Sequence, residues 1–188
     1  RSLVGSEMCI RDRKQLPDAI LPGSKESCDG SGCWTGCVIE KEGLFHIFYT
    51  GFNPESKFPQ SICHAVSSDL IYWEKDEKNP ILLPETKIYE KNDWRDPYIF
   101  WNEKERKWWM LITAREKGDG YNSGCIALAK SKNLISWKIF PPLWSGRICR
   151  TPECSDLFKK RNLWYLIFSD HNSTDYIFSS DLKKFHIP

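Results

Sequence analysis

The sequence predicts an all-β protein made of repeated four-stranded units, which is typical of a partial β-propeller. Short apolar runs rich in β-branched and aromatic residues alternate with polar turns, and none keeps a 3.6-residue helical period. A phrase of Ser, two residues, Leu, two residues and an aromatic residue occurs three times, beginning at Ser67, Ser131 and Ser179. These two observations together favour a repeat architecture.

Each phrase follows two apolar runs that are joined by a charged turn. The turns are predicted at residues 40–43, 102–107 and 159–162. The unit is therefore a strand, a tight turn, a strand, a loop, a third strand and a fourth strand that contains the Ser-Leu-aromatic phrase. Four strands in about 40 to 60 residues are typical of a propeller blade. A solenoid is the alternative, but its repeats are usually shorter and more regular.

Three blades are predicted, at about residues 31–80, 92–142 and 151–188. Because propellers close with roughly four to eight blades, the ring is expected to be incomplete. Residues 1–13 have no clear period and resemble translated read-through of a sequencing adaptor. We expect this leader to be foreign to the fold, which leaves residues 14–188 as the propeller fragment.

The composition narrows the classes of function. The 188 residues include 27 basic and 25 acidic ones, so the net charge of +2 indicates neither a nucleic-acid partner nor an anionic membrane. The eight cysteines lack paired metal-ligand spacing, and nothing in the sequence implies a metal or an organic cofactor. Free, buried thiols are the favoured interpretation, which slightly favours the cytoplasm; the oligomeric state is not predicted.

Two acidic residues stand at equivalent points of neighbouring units. Asp96 and Glu153 are 57 residues apart (153 − 96), and each precedes an apolar inner strand. Cleavage of a glycosidic bond requires one acid that protonates the leaving oxygen and a second carboxylate that attacks or supports the cationic sugar. The simpler alternatives are a turn at Asp96-Pro97, a surface ion pair of Arg95 with Asp96, and a solvated Glu153.

Three motifs in chain order resemble those of glycoside hydrolase family 32, the invertase, levanase and fructan hydrolase group. They are Trp34-Thr35-Gly36, Arg95-Asp96-Pro97, and Glu153-Cys154 with the following Asp156-Leu157-Phe158. The resemblance extends over roughly residues 28–188. It implies a five-bladed propeller that acts on a small carbohydrate and hydrolyses β-fructofuranosidic bonds of sucrose or fructans with retention of configuration.

The resemblance also implies roles for individual residues. Glu153 is expected to be the general acid/base, and Asp96 to bind sugar hydroxyls and stabilise the transition state. Arg95 is expected to orient Asp96 and to donate to the substrate. Trp34 and Thr35 are expected to form the pocket wall, and Cys154 to influence the environment of the acid.

The sequence departs from the family pattern in three respects. The nucleophile of an Asn-Asp-Pro-type motif is not found upstream of Trp34, where Asp18, Glu26 and Asp29 lie in other contexts. Thr35 replaces the usual Ser, and Cys37 follows where a small Ser is common. The C-terminal β-sandwich of the family has no counterpart. We therefore expect this chain to lack the first blade and to be inactive by itself.

Two other functions stay open from the sequence. One is a related five-bladed glycosidase that acts on arabinose- or xylose-containing glycans. The other is a carbohydrate-binding propeller without catalysis, since a fold does not determine a function. A binding module, however, does not need an acid at both equivalent blade starts.

Overall fold

A computed structural model describes residues 16–118, 120–170 and 173–188. These residues form three antiparallel sheets and no helix, which confirms the all-β prediction. The first sheet contains β1 (Gly32–Lys41), β2 (Leu44–Phe52), β3 (Gln60–Ser67) and β4 (Glu74–Lys75). The second contains β5 (Tyr89–Asn102), β6 (Lys107–Glu116), β7 (Gly124–Ser131) and β8 (Trp137–Trp144). The third contains β9 (Glu153–Lys160), β10 (Leu163–Asp170) and β11 (Ser173–Ser179).

Strands within each sheet are neighbours in chain order, as expected for a propeller blade. The three predicted charged turns are confirmed as the hairpins β1–β2, β5–β6 and β9–β10. Each hairpin turn contains residues in left-handed backbone, among them Gly43, Arg106 and Arg161. The predicted leader lies outside the described residues. The number of blades in a closed ring stays a prediction.

The repeated Ser-Leu-aromatic phrase is a turn, so its prediction as a strand was wrong. In each copy the Ser hydroxyl oxygen accepts a hydrogen bond from the backbone N–H of the Leu three residues later, at 2.9 to 3.0 Å. The three leucines share left-handed backbone: Leu70 (φ 65°), Leu134 (φ 66°) and Leu182 (φ 63°). This local bond competes with a strand ladder, and strand pairing resumes only after the phrase or at its aromatic residue.

The aromatic residue of the phrase closes the same turn from the other side. The indole N–H of Trp73 donates to the carbonyl oxygen of Leu70 at 3.3 Å, and that of Trp137 donates to Leu134 at 3.0 Å. In the third sheet a single bridge between Phe178 and His186 follows the phrase, so the described part of this sheet has three strands and not the predicted four. The repeat therefore encodes the same turn after the third strand of each sheet.

Replacing Ser131 with Ala is expected to lower the free energy of unfolding by about 1–2 kcal/mol. The Ser131 hydroxyl is buried and accepts from the N–H groups of Asn133 (3.1 Å) and Leu134 (3.0 Å). Urea unfolding measures the effect. Ser136→Ala is the matched control, because Ser136 is exposed in the same turn. Equal stability of the two variants would contradict the role of the Ser131 hydroxyl.

Apolar clusters cover both faces of the second sheet. Met110 and Ile112 of β6 face a cluster shared with the first sheet, whereas Trp109 and Leu111 face a cluster shared with the third sheet. Successive side chains of a strand point to opposite faces, so a strand buried on both faces needs a continuous apolar run. This explains the near-continuous apolar stretch at residues 108–114.

The first strand of the second sheet lies against the first strands of the other two sheets. β5 contacts both β1 and β9, and β6 also contacts β9. Residues at the same point of successive units therefore come together although they are far apart in sequence. The described residues include no helix long and apolar enough to cross a membrane.

Candidate active site

One pocket of about 410 Å³ lies where β1, β5 and β9 converge. Its wall includes three of the predicted site residues, Trp34, Arg95 and Glu153. The other lining residues are Gln60, Asp93, Arg150 and Thr151. Asp96, Thr35 and Cys154 adjoin these residues, so the structure brings all six predicted residues to one region.

Glu153 begins β9 and is the accessible carboxyl group of the pocket. Its side chain is 44% exposed. Oε1 accepts a hydrogen bond from Arg95 Nη2 at 2.6 Å and a weaker one from Thr151 Oγ1 at 3.4 Å. Glu153 is therefore held in one orientation while it remains open to the pocket.

Arg95 contacts four polar side chains in and behind the pocket. Besides Glu153, its Nη1 donates to Asp93 Oδ1 at 2.9 Å and to Gln60 Oε1 at 3.2 Å, and its Nε lies 3.7 Å from Asp96 Oδ2. Burial lowers the pKa of Arg95, but the hydrogen bonds to Asp93 and Glu153 outweigh it and raise the pKa above its ordinary value. The Arg95–Asp96 contact is thus a buried pair and not a surface one.

Asp96 lies behind Arg95 and is almost fully enclosed, at 6% exposed. Its Oδ2 accepts from the backbone N–H of Cys154 at 3.1 Å and from Thr113 Oγ1 at 3.2 Å, and its own N–H donates to Thr50 Oγ1 at 2.8 Å. The bonds from β6 and β9 hold the carboxylate, and the bond to Thr50 of β2 holds the backbone, so all three sheets fix Asp96.

The backbone at Asp96 explains its orientation. The pairing of β5 with β6 shifts register between Arg95 and Tyr98, and Asp96 has left-handed backbone at φ 56°. Such a bulge turns a side chain away from the regular alternation of a strand. Asp96 therefore belongs to a bulge inside β5 rather than to an isolated Asp-Pro turn.

Trp34 and Thr35 form the wall contributed by β1. Trp34 is 41% exposed and stacks on Phe52 with ring centroids 4.2 Å apart. The carbonyl oxygen of Thr35 accepts from Thr50 Oγ1 at 3.1 Å, which fixes the strand beside a register shift between Trp34 and Gly36. A Cβ at Gly36 would lie 2.0 Å from the Phe48 carbonyl oxygen, so this motif position requires glycine.

Cys154 connects the wall to the carboxylates. Its Sγ lies 4.0 Å from Thr35 Oγ1, while its backbone N–H binds Asp96. Burial, followed by the negative charge of Asp96, raises the pKa of the Cys154 thiol. Cys154 therefore binds Asp96 through its backbone N–H. The raised pKa favours the neutral form of its thiol.

The sequence profile described as Glycosyl hydrolases family 32 N-terminal domain matches residues 12–184. The chain belongs to glycoside hydrolase family 32. This membership confirms the resemblance that the three motifs indicated.

Two curated relatives are similar to this chain over part of their own length. A sucrose-6-phosphate hydrolase of Zymomonas mobilis is 32% identical over 168 residues, which cover 82% of this chain and 31% of the relative. An insoluble-isoenzyme beta-fructofuranosidase of Arabidopsis thaliana is 32% identical over 150 residues, covering 77% of this chain and 26% of the relative. The chain thus spans about a third or less of these two relatives.

Solved structures in family 32 show the same fold. Fructan 1-exohydrolase IIa from Cichorium intybus superposes with a TM-score of 0.75 at 22% identity, covering 92% of this chain and 35% of that one. The beta-fructofuranosidase BmSUC1 of Bombyx mori superposes with a TM-score of 0.72 at 21% identity, covering 92% and 38%. At these identities the likeness establishes the fold alone.

Six residues in or behind the pocket were not predicted from the sequence. Four line the pocket, Gln60, Asp93, Arg150 and Thr151, and two lie behind it, Thr50 and Thr113. Asp93 stands three residues before Asp96, and Arg150 and Thr151 stand three and two residues before Glu153, so proximity to the motifs was an available signal. The other three had no such motif context. In the described part of the chain, no group of three His, Cys, Asp or Glu residues could hold a metal ion.

Proposed function

We propose that the whole protein containing this chain hydrolyses β-fructofuranosidic bonds of sucrose or fructans with retention of configuration. The observation that supports this most directly is the pairing of an accessible carboxyl, Glu153, with an enclosed carboxylate, Asp96, through Arg95. The names of the family 32 relatives support the substrate class. The three sheets would be three of five blades around a central channel.

Glu153 is proposed as the general acid/base. Its exposure allows it to protonate the leaving glycosidic oxygen and then to take a proton from the water that completes hydrolysis. The hydrogen bond from Arg95 keeps the carboxyl group directed into the pocket. Trp34 offers a half-exposed indole against which a sugar ring can pack.

Asp96 is proposed to stabilise the positive charge that develops on the sugar. The two hydrogen bonds to Oδ2 hold this carboxylate in place before substrate binds. A fixed negative charge in an enclosed site stabilises a cationic transition state without reorganisation. Arg95 is proposed to position both carboxyl groups and to donate to sugar hydroxyls.

We assign the nucleophile to neither Asp96 nor Asp93. A retaining mechanism needs a nucleophile about 5–5.5 Å from the acid, with a free carboxylate oxygen. Asp96 is enclosed, and Asp93 is held by Arg95 at 2.9 Å and lies 3.8 Å from Arg115 Nη1. We therefore propose that this chain does not contain the nucleophile, and that the 188-residue chain alone does not release fructose.

The test compares the chain alone with the chain joined at its N-terminal side to a blade that carries an Asn-Asp-Pro-type motif. Both are assayed for fructose release from sucrose and inulin, and for arabinose release from an arabinan. We expect fructose release only from the joined protein, and none when the Asp of the added motif is replaced with Ala. Release of arabinose instead would assign the protein to the related glycosidases that act on arabinose-containing glycans. Sugar binding without release of either product would favour a binding propeller.

A further inference from the structure

Two thiols meet on the first sheet, away from the sugar pocket. Cys28 lies in the segment before β1 and Cys63 lies in β3, and their sulfur atoms are 3.3 Å apart. Cys63 is completely buried, whereas Cys28 is only half-buried. Neither residue lines the pocket that contains Glu153.

The surrounding residues hold the two sulfur atoms together. A Cβ at Gly51 would lie 2.6 Å from Cys63 Sγ and 3.1 Å from the Cys28 carbonyl oxygen, so glycine leaves the space in which the thiols meet. Next to Cys28, the buried Asp29 accepts hydrogen bonds from Tyr49 Oη at 2.9 Å and from Lys75 Nζ. This anchor fixes the segment that carries Cys28 against the sheet.

The Cys28 side of the pair is open to small molecules. A second cavity of about 430 Å³ is lined by Cys28, Asp29, Ser61 and Lys75 among others, but not by Cys63. The hydrogen bond with Cys63 lowers the pKa of the Cys28 thiol, against burial and the charge of Asp29. The same hydrogen bond, together with burial, raises the pKa of Cys63. Cys28 is therefore the thiol that attacks first.

We propose that Cys28 and Cys63 form a reversible disulfide, exchanging with a small-molecule disulfide such as glutathione disulfide, that ties the segment before β1 to β3. The Cys28 thiolate attacks one sulfur of glutathione disulfide, forms a mixed disulfide and releases one glutathione thiolate. Cys63 then loses its proton and attacks the Cys28 sulfur, releasing the second glutathione. The two thiol protons end on the two glutathione molecules, so two cysteines are oxidised and one glutathione disulfide is reduced.

The bond requires little movement. A disulfide has a sulfur–sulfur distance of about 2.05 Å, against the 3.3 Å of the two thiols. The closed loop would contain all of β1 and β2, including Trp34 of the pocket wall. Such a cross-link stabilises a protein mainly by restricting its unfolded chain. The inference rests on the thiol geometry alone and does not depend on the proposed function.

The test incubates the full chain in glutathione buffers of increasing oxidised fraction, followed by thiol blocking and non-reducing peptide mapping. We expect a peptide pair linked through Cys28 and Cys63, restored to free thiols by dithiothreitol. The oxidised chain is expected to melt higher than the reduced chain by roughly 5–10 °C. Neither change should occur in Cys28→Ser.

Matched controls come from the other cysteines. Cys33→Ser tests the neighbouring thiol, whose sulfur lies 3.7 Å from Asp29 Oδ2, and Cys125→Ser tests a buried thiol of the second sheet. Both variants should keep the linked pair. A persistent glutathione adduct on Cys28, a bond between Cys28 and Cys33, or thiols that stay free in every buffer would each overturn the proposal.

Discussion

Replacing Glu153 with Gln in the whole protein is expected to lower kcat for fructose release from sucrose by about 10²–10⁴-fold. The amide keeps the size of the side chain and still accepts the hydrogen bond that Arg95 donates at 2.6 Å. It has no acidic proton to give to the leaving oxygen. A fructoside with an activated leaving group, which needs no protonation to depart, should lose much less kcat/KM, because this ratio does not include the later proton transfer from water. Steady-state kinetics on both substrates measure the difference.

The control for this variant is Glu105→Gln. Glu105 forms a surface pair with Lys130 at 2.8 Å in the second sheet, away from the pocket. It is expected to leave kcat and KM unchanged. A Glu153→Gln protein that hydrolysed sucrose at the rate of the unchanged protein would show that the acid/base is another residue.

Replacing Asp96 with Asn is expected to lower kcat/KM by about 10²–10³-fold. The amide oxygen can still accept from the Cys154 N–H and the Thr113 hydroxyl, so the fold of the site is retained. The negative charge that stabilises the developing cation is lost. Kinetics and thermal unfolding are measured on the same samples, because a structural defect would change both.

Asp175→Asn is the matched control for the loss of one carboxylate. Asp175 is exposed on β11 and accepts from the Ser173 hydroxyl at 2.9 Å. It should change neither activity nor melting temperature. If Asp96→Asn lowered the melting temperature but left kcat/KM intact, Asp96 would be a structural anchor of the bulge and not a catalytic group.

The strands and hairpin turns were predictable because each depends on a local pattern. Alternating apolar residues and charged turns determine them within a few positions of the chain. The Ser-Leu-aromatic phrase was recognised as a repeat but wrongly predicted as a strand. The turn that it forms depends on a Ser hydroxyl that binds the backbone N–H three residues later and on a Leu in left-handed backbone. Neither feature follows from hydrophobic periodicity.

The candidate site was predictable only as far as its motifs extend. Because these residues occupy equivalent positions in successive repeats, the sequence correctly predicted that Trp34, Asp96 and Glu153 lie close together. The motif also predicted a role for Arg95 beside Asp96, but the contact of Arg95 with Gln60 was not predictable, because Gln60 belongs to β3 and reaches Arg95 only through the packing of two sheets. The orientation of Asp96 depends on a bulge whose register shift is set by pairing with β6.

The bond from Arg95 to Glu153 and the bond from the Cys154 N–H to Asp96 both cross between β5 and β9, and no hairpin joins these two strands. Their relative position is set by the apolar side chains packed between the second and third sheets, among them Leu157 and Phe168. A displacement of about 1 Å, even one caused far from the chemistry, can cost roughly 100-fold in rate. Under the proposed function, natural selection would therefore act on these core residues as well as on the pocket. A substitution that changes side-chain volume in that core would then alter turnover even where the protein remains folded.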